Sequence, residues 1–172
     1  MEYTLILGAL AVGLVLTLAL GVMLNSVADK FLEKQRTDNR SKNVEITLPL
    51  RLQAYERMCL FLERITPNNL LLRTAPMATS ALELQQIVLH EIREEYNHNV
   101  AQQLYISTHA WEQIVNAMNE TVAVVNQAAA EVNAEAPASD LAKKIFSHVI
   151  EKEIQPSTHA LKVLKEEIRN VF

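Results

Sequence analysis

Residues 3–28 read YTLILGALAVGLVLTLALGVMLNSVA, 26 consecutive positions without a formal charge. Tyr3 to Leu24 is almost wholly apolar. As a helix rising 1.5 Å per residue, those first residues cover about 33 Å, against a bilayer hydrocarbon core of ~30 Å. The run therefore predicts one transmembrane helix over about 3–25. Only Met1 and Glu2 precede it, whereas 29–42 (DKFLEKQRTDNRSK) carries Lys30, Lys34, Arg36, Arg40 and Lys42. Positive charge beside a span stays on the cytoplasmic side. The expectation is an inner-membrane protein with its N-terminus outside and its C-terminal domain cytoplasmic.

A cleaved secretory signal is the competing reading, since Ser26-Val27-Ala28 faintly resembles a cleavage site. The missing basic n-region, the long apolar run and the basic residues that follow all oppose it. The single cysteine, Cys59, fits a reducing compartment.

All three glycines, Gly8, Gly13 and Gly21, lie in the apolar run. Ala9, Gly13, Thr17, Gly21 and Asn25 recur every four residues and so share one helix face. A row of small residues lets helix backbones approach closely, with Thr17 and Asn25 as hydrogen-bonding groups. It predicts a helix–helix contact with a partner or with a second copy.

Residues 1–28 thus read as anchor, 29–48 as a basic juxtamembrane stalk and linker, and 49–172 as one helical domain. Five prolines (Pro49, Pro67, Pro76, Pro137, Pro156) punctuate that domain, which contains no glycine. A helix is expected from Pro49, with Leu52, Tyr55, Cys59 and Leu62 on its apolar face, widened by Met58, Phe61 and Ile65. Ser80 and Glu83 form a capping-box pattern ahead of a helix running to Tyr105. Ser107 or Thr108 caps the next, whose stripe is Val115, Met118, Val122, Val125, Ala129, Val132 and Ala136. That stripe reads as one helix of an intramolecular bundle in preference to a seam between chains. Further helices start near Ser139 and after Pro156. The expected fold class is all-α: one transmembrane helix followed by a bundle of about five helices.

Residues 29–42 hold five basic and three acidic side chains, and 43–172 eleven basic and sixteen acidic. Glu94 to Ala142 has no Lys or Arg but seven acids. Such a surface repels polynucleotides, which bind through phosphate neutralisation. The basic stalk suits anionic headgroups, so an anionic-lipid-binding module is one alternative function.

The densest polar cluster is HEIREEYNHN, residues 90–99. His90, Glu94 and His98 lie four apart, and Glu95 and His98 form a Glu-x-x-His pair, half of a di-iron pattern. No second Glu-x-x-His follows, and a solvated charged face accounts for the cluster more simply. A tethered metal-dependent enzyme or sensor on His90, Glu94, Glu95 and His98 is the other alternative. Phosphate loops, dinucleotide fingerprints and nucleophile elbows all need glycines that this domain lacks. No catalytic residue, cofactor or small-molecule substrate is indicated.

Leu50–Ile65 followed by Pro67-Asn68-Asn69-Leu70, then Ile92–Trp111, then Leu164–Phe172, together resemble an uncharacterised family of short bacterial proteins. Its members have one N-terminal span and a helical cytoplasmic domain. The resemblance covers most of the chain and implies that architecture; it brings no activity, ligand or catalytic residue. The expected function is a membrane-anchored, non-enzymatic interaction protein, an accessory subunit that binds partners through its span and its acidic bundle.

Overall fold

A computed structural model describes residues 2–151 and 155–170, excepting the side chains of 2–20, 22, 24, 25, 27, 28, 37–41, 43 and 156. The described residues are all-α: α1 (Glu2–Arg64), α2 (Pro67–Thr74), α3 (Ala81–Asn99), α4 (Thr108–Ala130), α5 (Ala138–Glu151) and α6 (Pro156–Arg169), with 3₁₀ turns at Ala75–Met77 and Val100–Leu104. The chain divides into two compact units, Met1–Leu48 and Pro49–Phe172.

In the first unit, every described side chain from Gly21 to Thr47 is exposed. Among the described residues no helix is long and apolar enough to cross a membrane. This corrects the expected transmembrane helix, the single-pass membrane class and the inner-membrane placement with an outside N-terminus and a cytoplasmic domain. Length is not what α1 lacks, at 63 residues. Apolarity is, because its described part carries exposed Asp29, Lys30, Glu33, Lys34 and Arg36, each costly to place in hydrocarbon. The expected stalk and linker, 29–48, is also helical. Pro49 does not begin a helix but lies inside α1, where its ring forgoes one backbone hydrogen bond.

The second unit is built on a core that starts in the last turns of α1. Ala54, Tyr55, Met58, Phe61, Leu62 and Ile65 recur at three- and four-residue steps and are all buried. Leu52 and Cys59, expected at the centre of this face, flank it and are half-buried. Leu70 and Leu71 of α2, Leu84, Val88 and Ile92 of α3, Leu141 and Ile145 of α5, and Ala160 and Leu164 of α6 complete the core with α4.

Helix α4 packs against α3, α5 and α6. Its buried residues are Ala110, Ile114, Ala117, Thr121, Val124, Val125 and Ala128. The expected stripe is thus rotated: Val115, Met118, Val122 and Ala129 are only half-buried. The helix also stops at Ala130, short of Val132 and Ala136. There the Asn133 Oδ1 accepts from the Glu135 N–H at 3.0 Å, a side-chain turn that competes with helix, and Pro137 follows. Helix α3 also ends early: the Asn99 side-chain amide donates back to the Glu95 carbonyl at 2.8 Å, and the chain tightens into a 3₁₀ turn.

Helix starts follow the capping residues. The Thr66 and Ser107 hydroxyls accept from the Asn69 and Ala110 N–H groups, and Ser80 accepts from Glu83 N–H at 3.2 Å. The Glu83 carboxylate accepts in turn from the Thr79 N–H and hydroxyl, both at 2.8 Å. The start of α3 is joined to that of α5: Ala81 N–H donates to Ala136, Leu82 N–H to Ala134, and Ala138 N–H to Thr79. Ser80→Ala removes the cap of this joined pair and is expected to cost about 1 kcal/mol. A fall of about 4 °C in the melting temperature would register it.

Candidate functional site

Helices α3 and α4 lie side by side and leave a groove of about 430 Å³ between them. Leu89, Ile92 and Tyr96 line one wall at steps of three and four, which place them on one face of α3. Met118, Val122 and Asn126 line the other at steps of four, and Arg93 and Asn97 complete the lining. Gln85 donates to the Asn126 Oδ1 at 3.0 Å and clamps the two helices together. The Tyr96 ring is braced from two sides, 6.3 Å from Phe61 and 5.9 Å from Trp111, centroid to centroid. Tilted aromatic pairs of this kind hold a ring in place. The groove is therefore preorganised, apolar at its base and polar at its edge. The exposed residues of α4 nearest this face are Glu112 and Asn119.

This groove takes up the residues by which α4 departs from its expected packing. Met118 and Val122 are large and apolar but only half-buried against the edge of the core, inside which Ala117 and Thr121 sit. Thr121 is satisfied there by donating to the Ala117 carbonyl at 2.9 Å. Sequence reasoning missed the groove because a stripe of large apolar residues does not say which flank a neighbouring helix leaves open.

The His/Glu cluster has a different fate. Arg64, Glu91, Glu94, Glu95, Asn97 and His98 border an open depression of about 600 Å³. Arg64 pairs with Glu95 at 2.6 Å, and Arg73 with Glu91 at 3.4 Å. Glu95, the carboxylate of the Glu-x-x-His pair, is thereby engaged in joining α1 to α3. His90, Glu94 and His98 are exposed. Among the described residues no three His, Cys, Asp or Glu side chains are grouped to hold a metal ion.

Of the expected small-residue row, Ala9, Gly13, Thr17 and Asn25 lie outside the described side chains. A Cβ placed on Gly21 meets nothing within 4 Å. Lys30, Lys34, Arg36 and Lys42 are exposed, while the Arg40 side chain lies outside the described ones. Burial pushes the half-buried Cys59 thiol above its ordinary range, only partly opposed by Lys165, which leaves it a poor nucleophile.

Two polar arrangements had no local signal. His148 is buried with Nε2 3.0 Å from Glu131, whose carboxylate also meets Lys144 at 2.5 Å. The Lys144 hydrogen bond holds the Glu131 carboxyl below its usual range. Farther apart in sequence, Arg51, Tyr55, Ser107 and Glu167 form one network. Arg51 donates to the Tyr55 hydroxyl at 2.9 Å and to the Tyr105 carbonyl at 3.3 Å. Tyr55 donates to Glu167 at 2.5 Å, and Ser107 donates to it through both N–H, at 3.0 Å, and hydroxyl.

The fold and groove define an all-α bundle with a preformed apolar cleft and no assembled catalytic constellation among its described residues. Residues 2–171 match the family of unknown function DUF7935, and the chain belongs to that family. This agrees with the expected uncharacterised family, whose membrane span is the part corrected above. No curated protein and no solved structure matches the chain.

Proposed function

We propose that this protein is a non-enzymatic binding module whose α3/α4 groove receives an amphipathic helix of a partner protein, with basic residues on that helix's flanks. The observation that carries the reading is the groove itself, with large apolar side chains on both walls and a braced aromatic ring. Helices bind such grooves through apolar anchors spaced by three or four residues. The charge of the partner is argued from the chain that follows the groove's Arg93, since Glu94 to Ala142 carries seven acids and no Lys or Arg. A basic flank would meet Glu112 and speed encounter.

The test is site-specific photocrosslinking of the full chain in cells, with the reactive group at Met118 or Val122 and controls at Ala123 and Gln127. The expected result is a crosslinked peptide, mapped by mass spectrometry, with apolar residues at helical spacing between Lys or Arg. Val122→Glu should weaken that partner's binding about tenfold or more while leaving the fold intact, because Val122 is only half-buried. Equal labelling at the control positions, or an acidic peptide, would sink the reading.

A further inference from the structure

Three neighbouring side chains of the α3/α4 groove carry hydrogen-bonding groups that meet nothing on this chain. Arg93, Tyr96 and Asn97 stand at steps of three and four along α3, so they share one face, and all three line the groove. Among the described residues no carboxylate pairs with the Arg93 guanidinium, and neither the Tyr96 hydroxyl nor the Asn97 amide makes a hydrogen bond. The other arginines that reach α3 are engaged, Arg64 with Glu95 and Arg73 with Glu91. The Tyr96 hydroxyl is open to solvent, since the buried side-chain atoms without a partner belong to Arg73, His148 and Ser157 among the described residues.

A helix laid in the groove takes water away from these three groups together. A guanidinium that loses its water without a counter-charge is costly to bury, and a hydrogen-bonded carboxylate offsets most of that cost. Arginine presents parallel N–H donors that match the two oxygens of a carboxylate. Tyr96 and Asn97 add neutral donors beside it, and the contacts of the Tyr96 ring with Phe61 and Trp111 hold the hydroxyl in place. The apolar walls, by contrast, accept any helix with suitably spaced anchors.

Given a groove that receives a helix, as proposed above, we infer that Arg93, Tyr96 and Asn97 form a carboxylate-recognition site within it. The partner helix carries a single Asp or Glu beside its apolar anchors and between its basic flanks. Arg93 donates to both carboxylate oxygens, and the Tyr96 hydroxyl and Asn97 amide donate to the lone pairs that remain. The carboxylate thereby sets the register of the docked helix and selects it among helices of similar apolar pattern.

The probe is a series of synthetic helical peptides with leucines at steps of three and four and lysines on both flanks. One glutamate is placed in turn at each position bordering the leucines, with glutamine there in the matched controls. Calorimetry with the full chain should find a register in which glutamate binds about tenfold or more tightly than glutamine. Arg93→Gln should abolish that preference and leave the glutamine peptide within about twofold, because Arg93 is exposed and its loss spares the fold. Arg93→Glu should reverse the preference in favour of lysine at the same position. Tyr96→Phe, which keeps the ring, should reduce it about threefold to tenfold. Equal binding of glutamate and glutamine peptides in every register, or a preference that survives Arg93→Gln, would overturn the carboxylate site. If Val122→Glu still weakens those peptides, the groove stands as a helix-binding site without it. No peptide binding, or binding indifferent to Val122→Glu, would overturn both.

Discussion

Phe61→Ala is expected to destabilise the second unit by about 3–5 kcal/mol, a large part of the stability of a domain this size. Phe61 is fully buried in the last turns of α1, within the cluster that joins α1 to α2 and α3. Removing the ring loses its transfer free energy and leaves a cavity that helices held on several sides cannot close. Phe61→Leu keeps most of the volume and should cost less. Leu60→Ala, one position away and 56 % exposed, should stay within about 0.5 kcal/mol. Urea titration separates these outcomes: the midpoint falls for Phe61→Ala with an unchanged slope, because the surface exposed on unfolding is nearly the same. Trp111, the one tryptophan, reports a second consequence. It packs against Tyr96, which packs against Phe61, so its emission should change in the folded state of Phe61→Ala. The same variant should weaken partner binding at the groove, since Tyr96 then loses one of its two braces. A loss below about 1 kcal/mol would mean that the site collapses around the void, and that α1 is packed less firmly than its buried face implies.

The contrast between Phe61 and Leu60 also shows how much of this fold is legible in the sequence. Helical spacing identifies the face of α1 to within one position, because Tyr55, Met58, Phe61, Leu62 and Ile65 are all large and apolar. Caps are equally legible: Ser80 and Ser107 announce helix starts through local chemistry that needs no tertiary context. The face of α4 is not. Its most buried positions include Ala110, Ala117, Thr121 and Ala128, small residues that carry little hydrophobic signal. They are buried because α4 lies against three other helices, and close approach selects small side chains. The larger Met118 and Val122 then fall at the groove. A reading by hydrophobicity ranks the large residues first and so turns the helix.

The N-terminal apolar run misleads for a related reason. Its 26 uncharged residues read as a span in isolation, but they lie in one helix with Asp29, Lys30, Glu33, Lys34 and Arg36, and among the described residues no helix is long and apolar enough to cross a membrane. Local composition does not say where this helix ends, since α1 runs on through Gly21 and through Pro49, residue types that often stop one. The candidate sites were legible only in part. The His/Glu cluster was found by spacing, but its use in ion pairs depends on Arg64 and Arg73 from other helices. The groove and the Glu167 network join residues far apart in the chain, for which no local motif exists.

Glu167→Ala is expected to cost about 2–3 kcal/mol at neutral pH, the larger part of it from groups left behind. The carboxylate accepts from Tyr55, from the Ser107 N–H and from the Ser107 hydroxyl, and lies 3.9 Å from Arg51. Tyr55 is 2 % exposed, so its hydroxyl has no water to turn to. Burial pushes the Glu167 carboxyl upward, but the Ser107 and Tyr55 hydrogen bonds and the Arg51 charge outweigh it and hold it below its usual range. Burial pushes the Tyr55 phenol above its own range, which keeps it a neutral donor. A carboxyl whose folded value is depressed contributes stability above its unfolded value, about 4.3, and loses it as pH falls through the folded value. Glu167→Gln keeps the shape and removes the charge. Its deficit against the wild type should therefore be greatest at pH 7 and shrink toward about pH 3, as urea midpoints at each pH would show. Comparing the pair cancels other carboxylates, such as Glu83 and Glu131, that also titrate low. A deficit that stays constant with pH would mean that geometry alone, and not the charge, fastens α6 to α1 and to the turn before α4. A shrinking deficit makes the charge the fastening, and it predicts that acid loosens α6 first, because Glu167 is the residue through which α6 enters this network.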